Sequence, residues 1–198
     1  MVDYSDPEND FKPRRRVDAA ARAKKLAERK EWASSLTGLE AEQKTKEAAL
    51  RLLDRCDQSV AQCRHKLLAK GYPSAAVEVV IKRLIEVGIL DDLRYGEMLA
   101  RTRHQERGLV GQALRIELRR KEIPEEIINQ VMSNFSEGAT QETIEHLVQK
   151  KLRSLNKLPK EVKFRRLLGM LARKGYSVNV ATEVISKTLE TDDVEYRY

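Results

Sequence analysis

Two acids stand side by side at Asp91 and Asp92, a pairing that could hold a divalent cation or divide acid and base roles between them. Adjacent helical residues do not share a face, however, and an Asp at a helix start ordinarily accepts from free amides. The pair reads as a cap with hydrogen bonding between repeats. Cys56, Cys63 and His65 invite a metal reading, but Cys-x6-Cys fits no zinc knuckle and Cys63 falls on a core position. Core packing is the expected role. With no Gly-rich phosphate loop and no nucleophile beside a base, we assign no catalytic, metal or cofactor residues.

The cations carry more information. Residues 101–122 hold seven bases against three acids, a net of +4, and residues 150–174 hold ten bases against Glu161 alone, a net of +9. A charge run is often only a solvated face, but acids are dense elsewhere and nearly absent here. We therefore select as candidate binding residues Arg101, Arg103, Arg107, Arg115, Arg119 and Arg120 from the first run. From the second we select Lys150, Lys151, Arg153, Lys163, Arg165, Arg166, Arg173 and Lys174. Aromatic residues make up only 5% of the chain, so a base-stacking platform is poorly supported and the expected contacts are to phosphates. With about eight phosphates engaged, affinity would fall on the order of a thousandfold or more between 50 and 200 mM salt.

The elements that must hold these side chains repeat. Leu67-Leu68-Ala69-Lys70-Gly71-Tyr72, Leu118-Arg119-Arg120-Lys121-Glu122-Ile123 and Leu171-Ala172-Arg173-Lys174-Gly175-Tyr176 each close one amphipathic helical pattern before a turn and another. Lys70, Lys121 and Lys174 are spaced by 51 and 53 residues, a period typical of stacked helical units. The expected fold is all-α: three tandem three-helix repeats forming an elongated curved solenoid, preceded by a basic N-terminal helical extension. A unit of about 50 residues is near the lower limit for an independent core, so neighbours should share theirs.

We place a charged extension at 1–44, repeats at 45–90, 91–138 and 139–190, and a polar, frayed tail at 191–198. The extension opens acidic and turns basic from Lys12 to Lys30, with nine bases against Asp18 and Glu28. It reads as a solvated tail, helical from about Val17, or as an arm that folds onto nucleic acid or another acidic surface. Trp32 and Leu36 could anchor its end before Gly38 interrupts it. In repeat 1, Ser59-Val60-Ala61-Gln62 reads as a capping box and Gly71 as the residue past a helix end. Tyr72 and Tyr176 are expected in the core or between repeats. No apolar run of about 18 residues could span a membrane, the amino terminus lacks a signal-peptide core, and two cysteines make no disulfide framework. The expected setting is cytoplasmic and reducing.

These residues resemble the RecX regulatory family. Leu52-Leu53-Asp54-Arg55 with Ser59, Lys66-Leu67 and Lys70-Gly71-Tyr72 looks like the family's opening repeat, and Gly88-Ile89-Leu90-Asp91-Asp92-Leu93-Arg94-Tyr95 is similar to its most diagnostic segment. Arg103, Arg107-Gly108, Glu117-Leu118 and Phe164-Arg165-Arg166 through Ser177 also match, so the resemblance covers residues 45–190. It implies a non-enzymatic, monomeric regulator that binds the RecA nucleoprotein filament. The implied effects are inhibition of RecA's ATPase, strand exchange and co-protease activity, with consequences for recombinational repair and the SOS response. A general protein binding single- and double-stranded DNA through phosphates is the alternative. Glu122 departs from the resemblance, because a Gly usually stands there. Either Glu122 takes a left-handed conformation or the helix ends differently.

Overall fold

A computed structural model describes residues 19–135 and 141–195, with side chains through Thr191. The acidic opening, the expected helix start at Val17, the break at 136–140 and the last three residues of the tail lie outside the described residues. Ten α-helices run through the described residues, with no strand among them. Helix α1 (Ala19–Ser35) precedes three units: α2 (Gly38–Arg55), α3 (Val60–Ala69) and α4 (Ser74–Glu86); α5 (Asp92–Arg107), α6 (Gly111–Arg120) and α7 (Glu125–Asn134); and α8 (Gln141–Leu152), α9 (Lys160–Lys174) and α10 (Val178–Glu195). A 3-10 turn, Arg153–Leu155, extends α8. Two boundaries differ from the sequence reading: α2 starts at Gly38 rather than near Thr45, and α10 runs through Thr191 to Glu195.

Each unit has its own apolar centre: Cys63, Leu67, Val77 and Ile81 in the first, Leu99, Leu114, Leu118 and Ile128 in the second, Ile144, Leu167, Leu171 and Ile185 in the third. Full burial of each of these Val, Leu and Ile side chains contributes about 1.5 to 3 kcal/mol. Val110, from the α5–α6 loop, belongs to the third unit's centre, so the second and third cores are joined as small units require. Cys63 is fully buried, and burial pushes its thiol up from the ordinary range. Both features fit a packing residue.

The three Lys-containing corners share one backbone solution. After α3, the amides of Gly71 and Tyr72 reach back to the carbonyls of Leu68 and Leu67, at 2.9 and 3.3 Å. Glu122 and Ile123 do the same to Arg119 and Leu118, and Gly175 and Tyr176 to Ala172 and Leu171. This paired closure needs a left-handed residue, supplied with φ of 90° at Gly71, 95° at Gly175 and 58° at Glu122. Glu122 thus adopts the conformation usually left to Gly, at a cost of about 1 to 2 kcal/mol.

Each corner rests on what precedes it. Lys174 accepts a 2.9 Å bond from the Val110 amide, and a Cβ on Gly175 would lie 2.0 Å from the Val110 carbonyl oxygen. Lys121 accepts a 2.6 Å bond from the Ser59 hydroxyl, while Glu122 Oε2 lies 2.6 Å from His65 Nδ1. The first corner has no earlier unit and meets α1 instead, where a Cβ on Gly71 would lie 2.6 Å from the Lys30 carbonyl oxygen. Of the two proposed anchors, Leu36 is buried with Ala41, Ala76 and Tyr72, whereas Trp32 remains 49% exposed.

Candidate nucleic-acid interface

The acidic pair works as its types and spacing suggest. Asp91 caps α5 by accepting from the Arg94 amide at 3.0 Å, and Asp92 accepts from the Val60 amide of the preceding unit at 2.9 Å. Burial raises the Asp92 carboxyl, opposed by that amide. Ser59 fills half of the expected capping box, accepting from the Gln62 amide at 3.1 Å while its hydroxyl proton goes to Lys121. Among the described residues, no group of three or more His, Cys, Asp or Glu could hold a metal ion, and no helix is long and apolar enough to cross a membrane.

The fourteen selected cations divide sharply. In the second unit all six are engaged by acids. Arg101 pairs with Glu97 at 3.4 Å, and Arg103 with Glu106 at 3.1 Å. Glu117, only 14% exposed, gathers Arg103, Arg107 and Arg120 at 3.7, 3.7 and 3.1 Å. Arg115 and Arg119 both reach Glu125 across the α6–α7 turn, at 3.3 and 2.8 Å. The hydrogen bonds from Arg119 hold the Glu125 carboxyl below its ordinary range.

The third unit is different. Lys150, Lys151, Arg153, Arg165, Arg166 and Arg173 have no ion pair among the described residues, and all six are exposed. On α9 the buried Leu167 and Leu171 turn inward, which puts Arg166 and Arg173 on the outer face one above the other. The Arg173 guanidinium would lie 3.4 Å from a Cβ at Gly169, so the absent side chain leaves it room against the helix. Lys163 is partly buried on the same helix and is not free.

Four of the selected residues from two units meet at one opening. Arg107, Lys150, Lys151 and Lys174 line a cleft of about 420 Å³ between the ends of α5, α8 and α9. Lys174 donates from Nζ to the Arg107 carbonyl, which ties the two units together. Burial, then Arg107 and Lys150, depress the Lys174 pKa. Like charges concentrated without a full complement of acids create a positive potential that an oxyanion would relieve.

The cleft also holds residues that charge counting passed over. His104 packs edge-on to Phe135, ring centres 5.5 Å apart, and its Nδ1 lies 3.3 Å from the Leu109 carbonyl. A carbonyl only accepts, so Nδ1 carries a proton in that contact. His146 lines the other wall, one turn before Lys150. Its i, i+4 spacing from Lys150 on α8 was the available sequence signal. The other ten selected cations, Arg101, Arg103, Arg115, Arg119, Arg120, Arg153, Lys163, Arg165, Arg166 and Arg173, do not line this cleft.

Comparison with known proteins places three family domains along the chain. Three family models match in order: RecX, first three-helix domain, at residues 46–84; second three-helix domain at 91–132; third at 139–185. The regulatory protein RecX of Thermobifida fusca is 37% identical over 146 residues, covering 74% of this chain and 79% of that protein. The one from Mycolicibacterium smegmatis is 37% identical over 155 residues, covering 76% and 82%. The crystal structure of RecX from Lactobacillus salivarius superposes with a TM-score of 0.66 at 19% identity, covering 75% of this chain and 96% of that one. That last likeness is one of fold.

Proposed function

Because this chain belongs to the RecX family of regulatory proteins, we propose that it binds the RecA–DNA filament and inhibits RecA's ATPase, strand exchange and co-protease activity. In this reading it acts in the cytoplasm as a monomeric regulator of recombinational repair and the SOS response, with no reaction of its own. The observation that carries the reading is the junction cleft, where cations from consecutive units face one opening. A filament presents phosphates and acidic protomer surfaces at repeating intervals, and a tandem array can engage several at once. Multivalency lets individually modest contacts add up.

Lys150 and Lys151 on α8 and Arg165, Arg166 and Arg173 on α9 are the expected phosphate contacts, on single or double strands and with little sequence preference. Purified protein, added well below equimolar to RecA, is expected to suppress RecA's DNA-dependent ATPase. Lys150→Gln with Lys151→Gln should raise the concentration needed roughly tenfold, the equivalent of about 1.4 kcal/mol. Unchanged ATPase at an equimolar ratio would refute the regulatory reading. Tight binding to naked DNA near physiological salt with no effect on RecA would instead identify a general DNA-binding protein.

A further inference from the structure

Helix α1 lies outside all three matched domains, the first of which begins at residue 46. It is polar almost all round: from Ala19 to Ser35 only Ala33 is buried. A helix of this kind has little apolar surface with which to hold a place in a fold. Yet its Lys30 carbonyl sits against Gly71 much as the Val110 carbonyl sits against Gly175, so α1 occupies at the first corner the position that a preceding unit occupies at the third. This docking brings Arg29 and Lys30 over the end of α3 and the side of α2.

The result is a cleft of about 260 Å³ whose charged lining is Arg29, Lys30, Arg51, Arg55 and Lys70, with Trp32 on the same wall. No acid lines it. Arg51 is held by Glu47 at 3.3 Å, but Arg29, Lys30, Arg55 and Lys70 have no ion pair among the described residues. The acids of α1, Glu28 and Glu31, do not line the cleft. Four unneutralised cations are thus held together by backbone packing and a few small apolar contacts, although their mutual repulsion opposes the docking of α1. Partial burial, then Arg55 and Arg29, depress the Lys70 pKa, consistent with that crowding.

We propose that the cleft between α1, α2 and α3 is a second nucleic-acid site, which takes the phosphodiester backbone of a single strand between Arg29, Lys30, Arg55 and Lys70 and thereby fastens α1 onto the first unit. The guanidinium fork suits a phosphate bidentately, and linear polyanions bring one charge per residue past successive cations. Nucleic acid is favoured over an acidic peptide because the half-exposed Trp32 indole beside these cations offers a face on which a base can stack, which a carboxylate side chain would not use. The site is separate from the junction cleft and does not depend on RecA being the partner.

Trp32 is the chain's single tryptophan, so its emission reports this cleft alone. The experiment is a titration of the full-length protein, without RecA, with an oligothymidylate of about 15 nucleotides carrying a dye. Trp32 emission and dye anisotropy are followed together at several salt concentrations. Trp32 quenching should track anisotropy, and Arg29→Gln with Lys70→Gln should abolish the quench and lower the salt slope by about two. Lys150→Gln with Lys151→Gln should weaken overall binding while leaving the quench amplitude at saturation intact. Circular dichroism checks that both variants are folded, and removing like charges from an exposed cleft should not unfold them. Anisotropy rising with flat Trp32 emission, and an unchanged slope in the Arg29/Lys70 variant, would overturn the proposal. Quenching by polyglutamate but not by the oligonucleotide would overturn it in favour of an acidic protein partner.

Discussion

The second and third units have the same three-helix plan but treat their cations in opposite ways. In the second, Glu97, Glu106, Glu117 and Glu125 engage every selected arginine, whereas in the third Lys150, Lys151, Arg153, Arg165, Arg166 and Arg173 have no carboxylate partner among the described residues. The corners differ as well: the second closes with a strained Glu122, the third with Gly175 pressed against Val110. Paired surface arginines contribute at most about 1 kcal/mol each to stability, and a polyanion must displace their partners before using them. Unpaired cations need no such exchange. One repeat plan can therefore serve as a rigid spacer in one unit and as a charged contact surface in the next.

The largest expected effect lies at the junction of these two units. Gly175→Ala places a methyl 2.0 Å from the Val110 carbonyl oxygen and 3.1 Å from the Ala113 amide nitrogen, at a φ of 95°. Backbone cannot yield there as a flexible side chain would, so the third unit should part from the second at a cost on the order of 3 kcal/mol. Calorimetry should register a fall in Tm of roughly 10 °C, with the unit 3 transition separating from the rest. A change within 1 °C would mean that the corner does not hold the units together.

A smaller effect tests the charge contrast itself. Glu117→Gln removes the carboxylate shared by Arg103, Arg107 and Arg120 and should destabilise the second unit by on the order of 1 to 2 kcal/mol. The same change frees guanidiniums and should increase affinity for naked DNA, with a salt slope steeper by roughly one. Stability and binding would then move in opposite directions. If both fall, the second unit's arginines contribute to binding through their paired geometry, and the contrast with the third unit breaks down.

This contrast also marks where the sequence stopped being legible. The cap at Asp91, the inter-repeat bond of Asp92, the burial of Cys63 and the helix end at Gly71 depend on local backbone needs or on helical periodicity, which neighbouring residues reveal. The neutralising acids were harder to see. Glu125 lies beyond the 101–122 run, and Glu97 before it, so a count along the chain recorded a net +4 that these two partners halve on folding. Gly71 was readable as a cap but not as the seat of Lys30, because close approach by a distant segment leaves no local pattern. The equivalence of Lys70 and Lys174 in the repeated Lys-Gly-Tyr string was the one available hint that a charged cleft would form at the first corner too. The start of α2 at Gly38 was obscured because its φ of 56° mimics a break, although the helix proceeds from it.

The smallest expected effect separates strain from latch at the Glu122 corner. Glycine there would relieve about 1 kcal/mol of left-handed strain. It would also remove the contact between Glu122 Oε2 and His65 Nδ1, whose side chains are 41% and 66% exposed and which contributes a few tenths of a kcal/mol after solvent screening. The added freedom of glycine in the unfolded chain offsets part of the gain. Glu122→Gly should therefore raise the urea midpoint slightly without changing the m-value, and leave the Ser59 bond to Lys121 in place, because that bond uses backbone the substitution does not alter. A lower midpoint would mean that the 2.6 Å contact to His65 outweighs the strain, and that the second unit retains a charged corner as its tie to the first where the third relies on close backbone packing against the second.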